Sequence, residues 1–144
     1  MTHKHDILHN CLYFTANALS RVITRMADEA FRVTGLSPSH AFLMMLVNDK
    51  PGIGQKELCE HLHLAPSTVT RFVDALAHRG YLIRESEGKI TKIRPTEAGR
   101  QLEGAIETAW KSLHVRYCGI LGQAAGDELT RIIDDASRRL ETER

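Results

Sequence analysis

Short hydroxyl side chains and one arginine are concentrated in the stretch PSTVTR, residues 66–71. A helix that needed only solubility would more often carry Glu and Lys here, because Ser and Thr compete for backbone hydrogen bonds. Ser67, Thr68 and Thr70 can donate to phosphate oxygens and let a backbone approach closely, and the two-pronged guanidinium of Arg71 can reach a guanine. These residue types suit contact with a nucleic acid.

Two short helices are predicted to position this stretch. Residues 55–62 have the spacing of one helix, and Pro66 is a typical first residue for a second helix that Gly80 ends. The second helix places apolar residues at i, i+3, i+4 and i+7, so this face must be buried: Val69, Phe72, Val73 and Leu76. Two helices joined by about three residues have the spacing of a helix-turn-helix.

A small hairpin is predicted next, in YLIRESEGKITKIRP, residues 81–95. The segment is rich in Ile, Tyr and Thr and indicates two strands of about five residues around a Glu87-Gly88 turn. Its basic residues suit a minor groove or the phosphate backbone. Helix, turn, helix and hairpin is the order of a winged helix-turn-helix, with residues 66–78 as recognition helix. The predicted DNA contacts are Pro66, Ser67, Thr68, Thr70, Arg71, Arg84, Lys89, Lys92 and Arg94.

The flanking segments have apolar stripes at helical spacing. One long helix is predicted over residues 7–30. Ser37 is predicted to cap an apolar helix whose centre, residues 41–47, is enclosed. Thr96 is predicted to cap a helix that runs to Leu121. Gly122 to Gly126 is expected to separate it from a last helix. These stripes exceed what one core of this size obviously needs, so a second subunit is the simplest partner. Packing on the same domain is the alternative.

Composition excludes several classes of protein. The chain of 144 residues has the length of one domain, residues 1–144, and its net charge of +1 neither indicates nor excludes a nucleic-acid partner. Its three cysteines are far apart and predict neither disulfides nor a zinc knuckle. No stretch is long and apolar enough for a membrane span and no secretory signal is visible, so we expect a cytoplasmic protein.

No motif of an enzyme is visible. PGIG, residues 51–54, has two glycines without the third or a preceding strand, so it predicts no phosphate loop. Neither G-x-S-x-G nor H-E-x-x-H occurs. We therefore expect no catalytic activity and no cofactor.

The run QKELCEHLHLAPSTVTRFVDALAHRGYLIR, followed by a short hairpin and by PTEAGR, resembles the MarR family of bacterial transcriptional regulators. The resemblance covers residues 36–100 by motif and the whole chain by length and helix order. It implies a mainly α fold with a small β-hairpin wing, in which N- and C-terminal dimerisation helices flank a winged helix-turn-helix. The DNA-binding lobe would be residues 36–100, and the helical dimerisation region residues 1–35 and 101–144.

The resemblance implies a homodimer that sets two recognition helices in successive major grooves of a pseudo-palindromic operator. The sequence departs from the family at Glu87-Gly88-Lys89, where members usually have Asp-x-Arg, and at Pro95, where Leu is usual. Because lysine lacks the planar fork of arginine, we expect weaker and less selective minor-groove contact through Lys89.

The resemblance further implies a repressor, less often an activator, that is released from DNA by a small and often aromatic ligand or by thiol oxidation. It suggests an effector pocket near Phe14, His40, Met44 and Met45. These side chains also sit at helical core spacing, so a plain core is the alternative interpretation.

Two other sensing chemistries involve the N-terminal segment. Peroxide-sensing relatives keep a reactive cysteine in the first helix, where Cys11 lies, although a cysteine on an apolar stripe is more often buried filler. His5 and His9, with Asp6 and Cys11 nearby, have a spacing that could hold zinc. Eight histidines in the chain make chance adjacency common, and we assign no metal site.

A protein-interaction module is the main competing class, since winged helices also occur in proteins that never touch DNA. The salt dependence of binding distinguishes DNA binding from protein binding. Phosphate contacts make DNA affinity fall steeply with ionic strength, whereas an apolar protein interface would scarcely respond.

Overall fold

The computed structural model describes residues 3–142, which form eight α-helices, one 3₁₀ turn and a three-stranded sheet. The elements are α1 (Lys4–His9), α2 (Leu12–Ala30), the 3₁₀ turn (Phe31–Thr34), α3 (Pro38–Asp49), β1 (Ile53–Gly54), α4 (Gln55–Leu62), α5 (Pro66–His78), β2 (Leu82–Glu87), β3 (Ile90–Pro95), α6 (Glu97–Arg100), α7 (Glu103–Leu121) and α8 (Gln123–Glu141). The predicted mainly α fold with a small β wing is confirmed.

The chain divides into two compact units, one up to Ala109 and one from Trp110 onwards. The described residues do not include 1, 2, 143 and 144, which are the outer ends of the predicted domain and dimerisation region. Within the described part, no helix is both long and apolar enough to cross a bilayer.

The single long helix predicted over residues 7–30 is wrong, because the chain breaks at Asn10 and Cys11. The side-chain amide of Asn10 donates to the carbonyl of Asp6 (2.7 Å), and its backbone N–H also donates to that carbonyl (3.1 Å). Asn10 thereby ends α1, since its side chain competes for a carbonyl that the helix would use. Cys11 is extended and precedes α2.

The helix-turn-helix has the predicted bounds, α4 followed by α5. Pro66 is the first residue of α5, and His63 makes the turn between the helices in a left-handed conformation, with φ 54°. Ahead of this pair, the hydroxyl of Ser37 accepts from the N–H of His40 and caps α3, as its position predicts.

The wing contains one strand more than the sequence indicates. β3 is the central strand, with β2 and the two-residue β1 antiparallel on either side. Glu87 pairs with Ile90, so the turn of the hairpin is Gly88-Lys89 and not Glu87-Gly88. Gly88 has φ 65°, a conformation that glycine adopts without strain.

The chain after the wing is fixed by the TEAG segment. The hydroxyl of Thr96 accepts from the N–H of Gly99 (3.2 Å) and donates to the carbonyl of Gly80 (2.6 Å). A Cβ on Gly99 would lie 2.0 Å from the carbonyl oxygen of Tyr81, so this position requires glycine. The helix that Thr96 caps is only the short α6, and a turn at Gln101 separates it from α7, so the single predicted helix is wrong.

The second unit contains the end of α7 and all of α8, joined through Gly122 alone. Gly122 has φ 93° and ends α7. The predicted separation from Gly122 to Gly126 is wrong, because α8 starts at Gln123 and includes Gly126. A Cβ on Gly126 would lie 2.9 Å from Sγ of Cys118, so this glycine allows close packing and is not a helix stop.

The core of the first unit lies between the helix-turn-helix, α3 and the sheet. Its largest fully buried side chains include Phe31, Leu43, Met44, Val47, Leu58, Val69, Val73, Leu76, Leu82, Ile93 and Ile106. Four residues of the apolar centre of α3 are fully buried, as predicted, namely Ala41, Leu43, Met44 and Val47, whereas Met45 is 43% exposed. The stripes on α1 and α2 behave differently: Leu12 and Tyr13 are 66% and 79% exposed, and in α2 only Met26 is buried.

Candidate nucleic-acid interface

The recognition helix α5 separates its residues into an apolar and a polar face. Val69 and Val73 are fully buried, and Phe72 is half-buried with its ring centroid 4.5 Å from that of His40. Ser67 and Arg71 are exposed on the other side. Because the buried residues fix the rotation of the helix, the polar residues project outward together.

The N-terminus of α5 has no side-chain cap within the described chain. Ala65 occupies the capping position and Pro66, which lacks an N–H, is the first helical residue. Uncapped N–H groups in the first turn and the positive end of the helix dipole attract anions. The structure therefore presents a phosphate-compatible helix end beside the exposed hydroxyl of Ser67.

Gln55 at the start of α4 positions the recognition helix, a role that the sequence did not indicate. Its amide nitrogen donates to the hydroxyl of Thr70 (2.6 Å) and to the carbonyl of Pro66 (3.2 Å). The hydroxyl of Thr70 in turn donates to the carbonyl of Pro66 (2.9 Å). The proton of Thr70 is used within the protein, so this residue joins the two helices. A polar residue at the first position of α4 is the signal that could have indicated it.

Arg84 joins the wing to the recognition helix. Its Nη2 atom lies 2.5 Å from Oδ1 of Asp74 on α5 and also donates a long hydrogen bond to the carbonyl of Thr70 (3.4 Å). Asp74 lies on the exposed face of α5, and no local pattern in the sequence indicates its partner. This ion pair sets the base of β2 against the middle of α5.

Two other predicted DNA contacts in the wing are also paired with carboxylates. Nζ of Lys92 lies 3.1 Å from Glu87, and Nε of Arg94 donates to Glu85 (2.7 Å). In contrast, Arg71 and Lys89 form no ion pair with any residue in the described range 3–142. Among the predicted DNA contacts, the cations left without an ion-pair partner in the described residues are therefore Arg71 on α5 and Lys89 at the turn of the wing.

The four residues predicted for an effector pocket lie in different environments. Met44 is fully buried, whereas Met45, the next residue on α3, is 43% exposed. His40 packs against Phe72, and the half-buried Phe14 makes an edge contact with His9 (6.0 Å). Ring contacts in the described chain do not join Phe14 to His40.

His40 has a perturbed side chain. Burial, and secondarily the charge of Arg79, lower the pKa of its imidazole from the ordinary 6.5. Arg79 is itself held in place, because it donates to the carbonyl of Gly35 (3.0 Å) and lies over the ring of Tyr81. A neutral imidazole therefore packs beside the recognition helix at pH 7.

The N-terminal histidines do not gather around one point. His5 contacts Asp6 (3.1 Å) and stacks on His3, whereas His9 contacts Phe14. Cys11 is a free, half-buried thiol at the cap of α2. In the part of the chain that the structure describes, three potential metal ligands converge elsewhere, at His114, Cys118 and Asp127.

Comparison with known proteins agrees with this geometry. The model of the MarR family matches residues 36–87, from the residue before the cap of α3 to the end of β2. Among curated protein sequences, none is significantly similar to the chain.

Solved structures of transcriptional regulators share the fold. CouR from Rhodococcus jostii RHA1 bound to p-coumaroyl-CoA is 22% identical, with a TM-score of 0.74 over 92% of this chain and 93% of that one. A MarR-family regulator from Listeria monocytogenes complexed with a 26mer DNA is 18% identical, with a TM-score of 0.75 over 90% and 89%. The repressor CouR bound to a 23-mer DNA duplex is 18% identical, with a TM-score of 0.83 over 95% and 99%.

Proposed function

We infer, from the MarR-family domain that this chain carries over residues 36–87, that it is a transcriptional regulator that binds a pseudo-palindromic operator in double-stranded DNA. One observation carries the proposal: the exposed polar face of α5, with its uncapped N-terminus, lies beside a basic wing that Arg84 ties to it. The arrangement suits a helix in the major groove and a hairpin on the neighbouring backbone. Two solved structures with this fold are complexes with DNA.

We assign the predicted contacts to three roles. Pro66, Ser67 and Thr68 begin the helix and would receive a phosphate, and the free guanidinium of Arg71 would read a base edge. Lys89 at the tip of the wing would meet the backbone or minor groove. Lys92 and Arg94, which are paired with Glu87 and Glu85, would be secondary contacts. Thr70 and Arg84 would act mainly by holding α5 and the wing in register, since both are already bonded within the protein.

We propose a homodimer as the DNA-binding form. The apolar side chains of α1 and α2 are largely exposed in the single chain. Part of the apolar surface of α7 and α8 is exposed as well: Trp110, Val115, Ile120, Leu121, Leu129, Ile132, Ile133 and Leu140. Exposed apolar surface of this kind is typical of an interface between subunits. A dimer with twofold symmetry would present two copies of α5 to two half-sites.

We further propose that the protein is a repressor released by a small aromatic effector. The repressor CouR, which shares the fold, has been solved with p-coumaroyl-CoA, a thioester of a phenolic acid. Of the residues suggested for the pocket, His40 and Met45 are reachable at the surface of α3, whereas Met44 lies in the core. The test is therefore whether phenolic acids and their thioesters release DNA from the protein–DNA complex. Met45→Ala is the variant, and Val33→Ala, at an exposed position, is the control.

Thiol sensing through Cys11 stays an alternative mode of release, and a protein-interaction module stays the alternative function. As a DNA-binding regulator the protein would act in the cytoplasm and would catalyse no reaction. Selecting bound fragments from the genome of the source organism, and footprinting the best one, tests the proposal. Two protected half-sites about one helical turn apart are expected. Random recovery of fragments would contradict sequence-specific binding and favour a protein partner.

A further inference from the structure

Three chemically different side chains converge where α7 meets α8, within the second unit. Nε2 of His114 lies 2.9 Å from Oδ1 of Asp127 and 3.5 Å from Sγ of Cys118. The distance from Sγ to Oδ1 of Asp127 is 3.9 Å. A nitrogen, a sulfur and an oxygen therefore surround one small volume.

The sequence builds this cluster through helix spacing and two glycines. His114 and Cys118 are four residues apart on α7 and therefore share one face of the helix. Gly122 turns the chain, and Gly126 lets the backbone of α8 approach Cys118, because any Cβ at that position would lie 2.9 Å from Sγ. This close approach brings Asp127 to the other two residues.

Neighbouring rings hold the imidazole of His114 in place. Trp110 stacks on it with a centroid distance of 6.0 Å and an interplanar angle of 14°, and Tyr117 meets it edge-on at 5.4 Å. Both neighbours lie on the same helix, about one turn away. A ligand that is already oriented loses little freedom when an ion binds.

The distances match those between ligands of a tetrahedral ion. With zinc–nitrogen and zinc–oxygen bonds of about 2.0 Å and a zinc–sulfur bond of about 2.3 Å, tetrahedral geometry separates nitrogen from sulfur by about 3.5 Å and nitrogen from oxygen by about 3.3 Å. The observed values are 3.5 Å and 2.9 Å, and the Sγ–Oδ1 distance of 3.9 Å compares with about 3.5 Å in the same geometry, so each lies within about 0.4 Å. A shift of a few tenths of an ångström would replace the hydrogen bond between His114 and Asp127 by two bonds to a metal.

We propose that His114, Cys118 and Asp127 form a binding site for one divalent transition-metal ion of the zinc class, with a fourth position open to solvent. Thiolate and imidazole ligands select such ions over Mg²⁺ and Ca²⁺, which prefer oxygen. On binding, the Cys118 thiol releases its proton to solvent. His114 binds as a neutral imidazole through Nε2 with its remaining proton on Nδ1, so a proton on Nε2 is released to solvent from the imidazolium or exchanged through solvent to Nδ1. The ion would enter beside Asp127, whose side chain is 52% exposed, and Cys118, 8% exposed, would form the floor.

An ion that binds there has to overcome a preference of Cys118 for its protonated form. Burial, followed by the negative charge of Asp127 and its hydrogen bond, raises the pKa of this thiol. A cation between the two groups reverses the effect of that charge. The proposal does not depend on DNA binding, because all three ligands lie in α7 and α8.

Cobalt(II) titration of the full, reduced chain tests the site. One equivalent should produce thiolate-to-cobalt charge-transfer absorption with tetrahedral visible bands, and should quench Trp110, the single tryptophan of the sequence, with the same endpoint. Zinc(II) should then displace cobalt. Absence of the charge-transfer absorption in the wild-type chain would overturn the proposal.

Variants assign the ligands. Cys118→Ser should remove the charge-transfer absorption and weaken cobalt binding by more than about tenfold, the loss that even an outer-shell partner can cause. The control Cys59→Ser, which removes a half-buried thiol on α4, should leave both unchanged. A His5→Ala/His9→Ala chain should also keep the spectrum, and losing it would place the ion at the N-terminus and overturn the proposal.

Asp127→Asn gives an independent test if Cys118→Ser fails to fold. The substitution is isosteric at an exposed position on α8, so circular dichroism should not change. Cobalt affinity should fall by more than about tenfold, because a neutral amide is a poorer ligand than a carboxylate. An unchanged affinity would remove Asp127 from the site and contradict the proposal.

Discussion

Asp74 on the recognition helix and Arg84 on β2 of the wing form an ion pair at 2.5 Å. The side chains are 59% and 33% exposed, so the pair itself contributes only on the order of 0.2 to 1 kcal/mol to stability. Its importance is geometric, since it fixes the angle between the two elements proposed to meet DNA. It also occupies a cation that would otherwise be free to neutralise a phosphate.

Asp74→Asn should release Arg84 and steepen the salt dependence of DNA binding by about one phosphate contact. The free energy of unfolding should fall by no more than about 1 kcal/mol, because the pair is exposed. Asp49→Asn removes the same charge from an exposed position at the end of α3 and serves as the control. Equal slopes in both variants would mean that Arg84 does not reach the backbone when freed.

Arg71→Ala should weaken binding to the specific duplex by on the order of 1 to 3 kcal/mol, about 5- to 150-fold, while stability stays unchanged. The side chain is exposed and has no ion-pair partner within residues 3–142, so the fold does not depend on it. Arg71→Lys keeps the charge without the planar fork and should keep the salt slope but lose selectivity. If Arg71→Ala binds the operator as tightly as the wild type, this residue does not read a base.

Lys89→Ala should weaken binding to all duplexes alike and reduce the salt slope by about one, because an ammonium group at the turn of the wing contacts phosphate as a point charge. Lys92→Ala is the matched control. Because Lys92 is already paired with Glu87, this substitution should change the salt slope less. Salt titrations by fluorescence anisotropy measure both. A loss confined to one base step would assign Lys89 to sequence readout instead.

Leu12→Glu and Ile120→Glu should each weaken the proposed dimer, because each puts a charge on an exposed apolar stripe, on α2 and on α7 respectively. Sedimentation equilibrium should give each variant dimer a higher dissociation constant than the wild type has, and the affinity for DNA should fall with it. Ser20→Glu, on an exposed polar position of α2, should change neither. Dimers of unchanged affinity in both Glu variants would contradict the proposed interface.

His40 should titrate below the ordinary value of 6.5 when its ring protons are followed by NMR. Because the folded pKa is lower than the unfolded one, the unfolded chain binds more protons between the two values. The stability linked to His40 is therefore fully present above about pH 6.5 and is lost as the pH falls towards the folded pKa. Arg79→Ala should raise the pKa only in part, since burial is the larger cause. A His40 that titrates at or above 6.5 would contradict its burial.

Local sequence signals were sufficient to predict the helices around the candidate site. Ser37, Pro66 and Gly80 cap, start or end helices through their own backbone preferences, so the bounds of α4 and α5 follow from the sequence alone. The apolar spacing on α5 likewise predicts which face is buried, and Val69, Val73 and Leu76 lie there.

The remaining features depend on contacts between distant residues. The two residues of β1 have no periodicity, and they form a strand because Ile53 pairs with Ile93. Gly126 would normally indicate a break, but it lies inside α8. Glycine is needed there because Sγ of Cys118 occupies the space that a side chain would take. For the same reason the partners of Arg84 and of Thr70, which lie on other elements, could not be assigned from the chain alone.

The most direct measurement is fluorescence anisotropy of the purified protein with the DNA upstream of its own gene, beside a shuffled duplex of the same composition, across a salt series. We expect the specific duplex to bind more tightly by a factor of about 10³ or more, with an affinity that falls steeply as salt rises. Equal binding of both duplexes, or an affinity that salt leaves unchanged, would contradict sequence-specific DNA binding and favour a protein partner for the same surface.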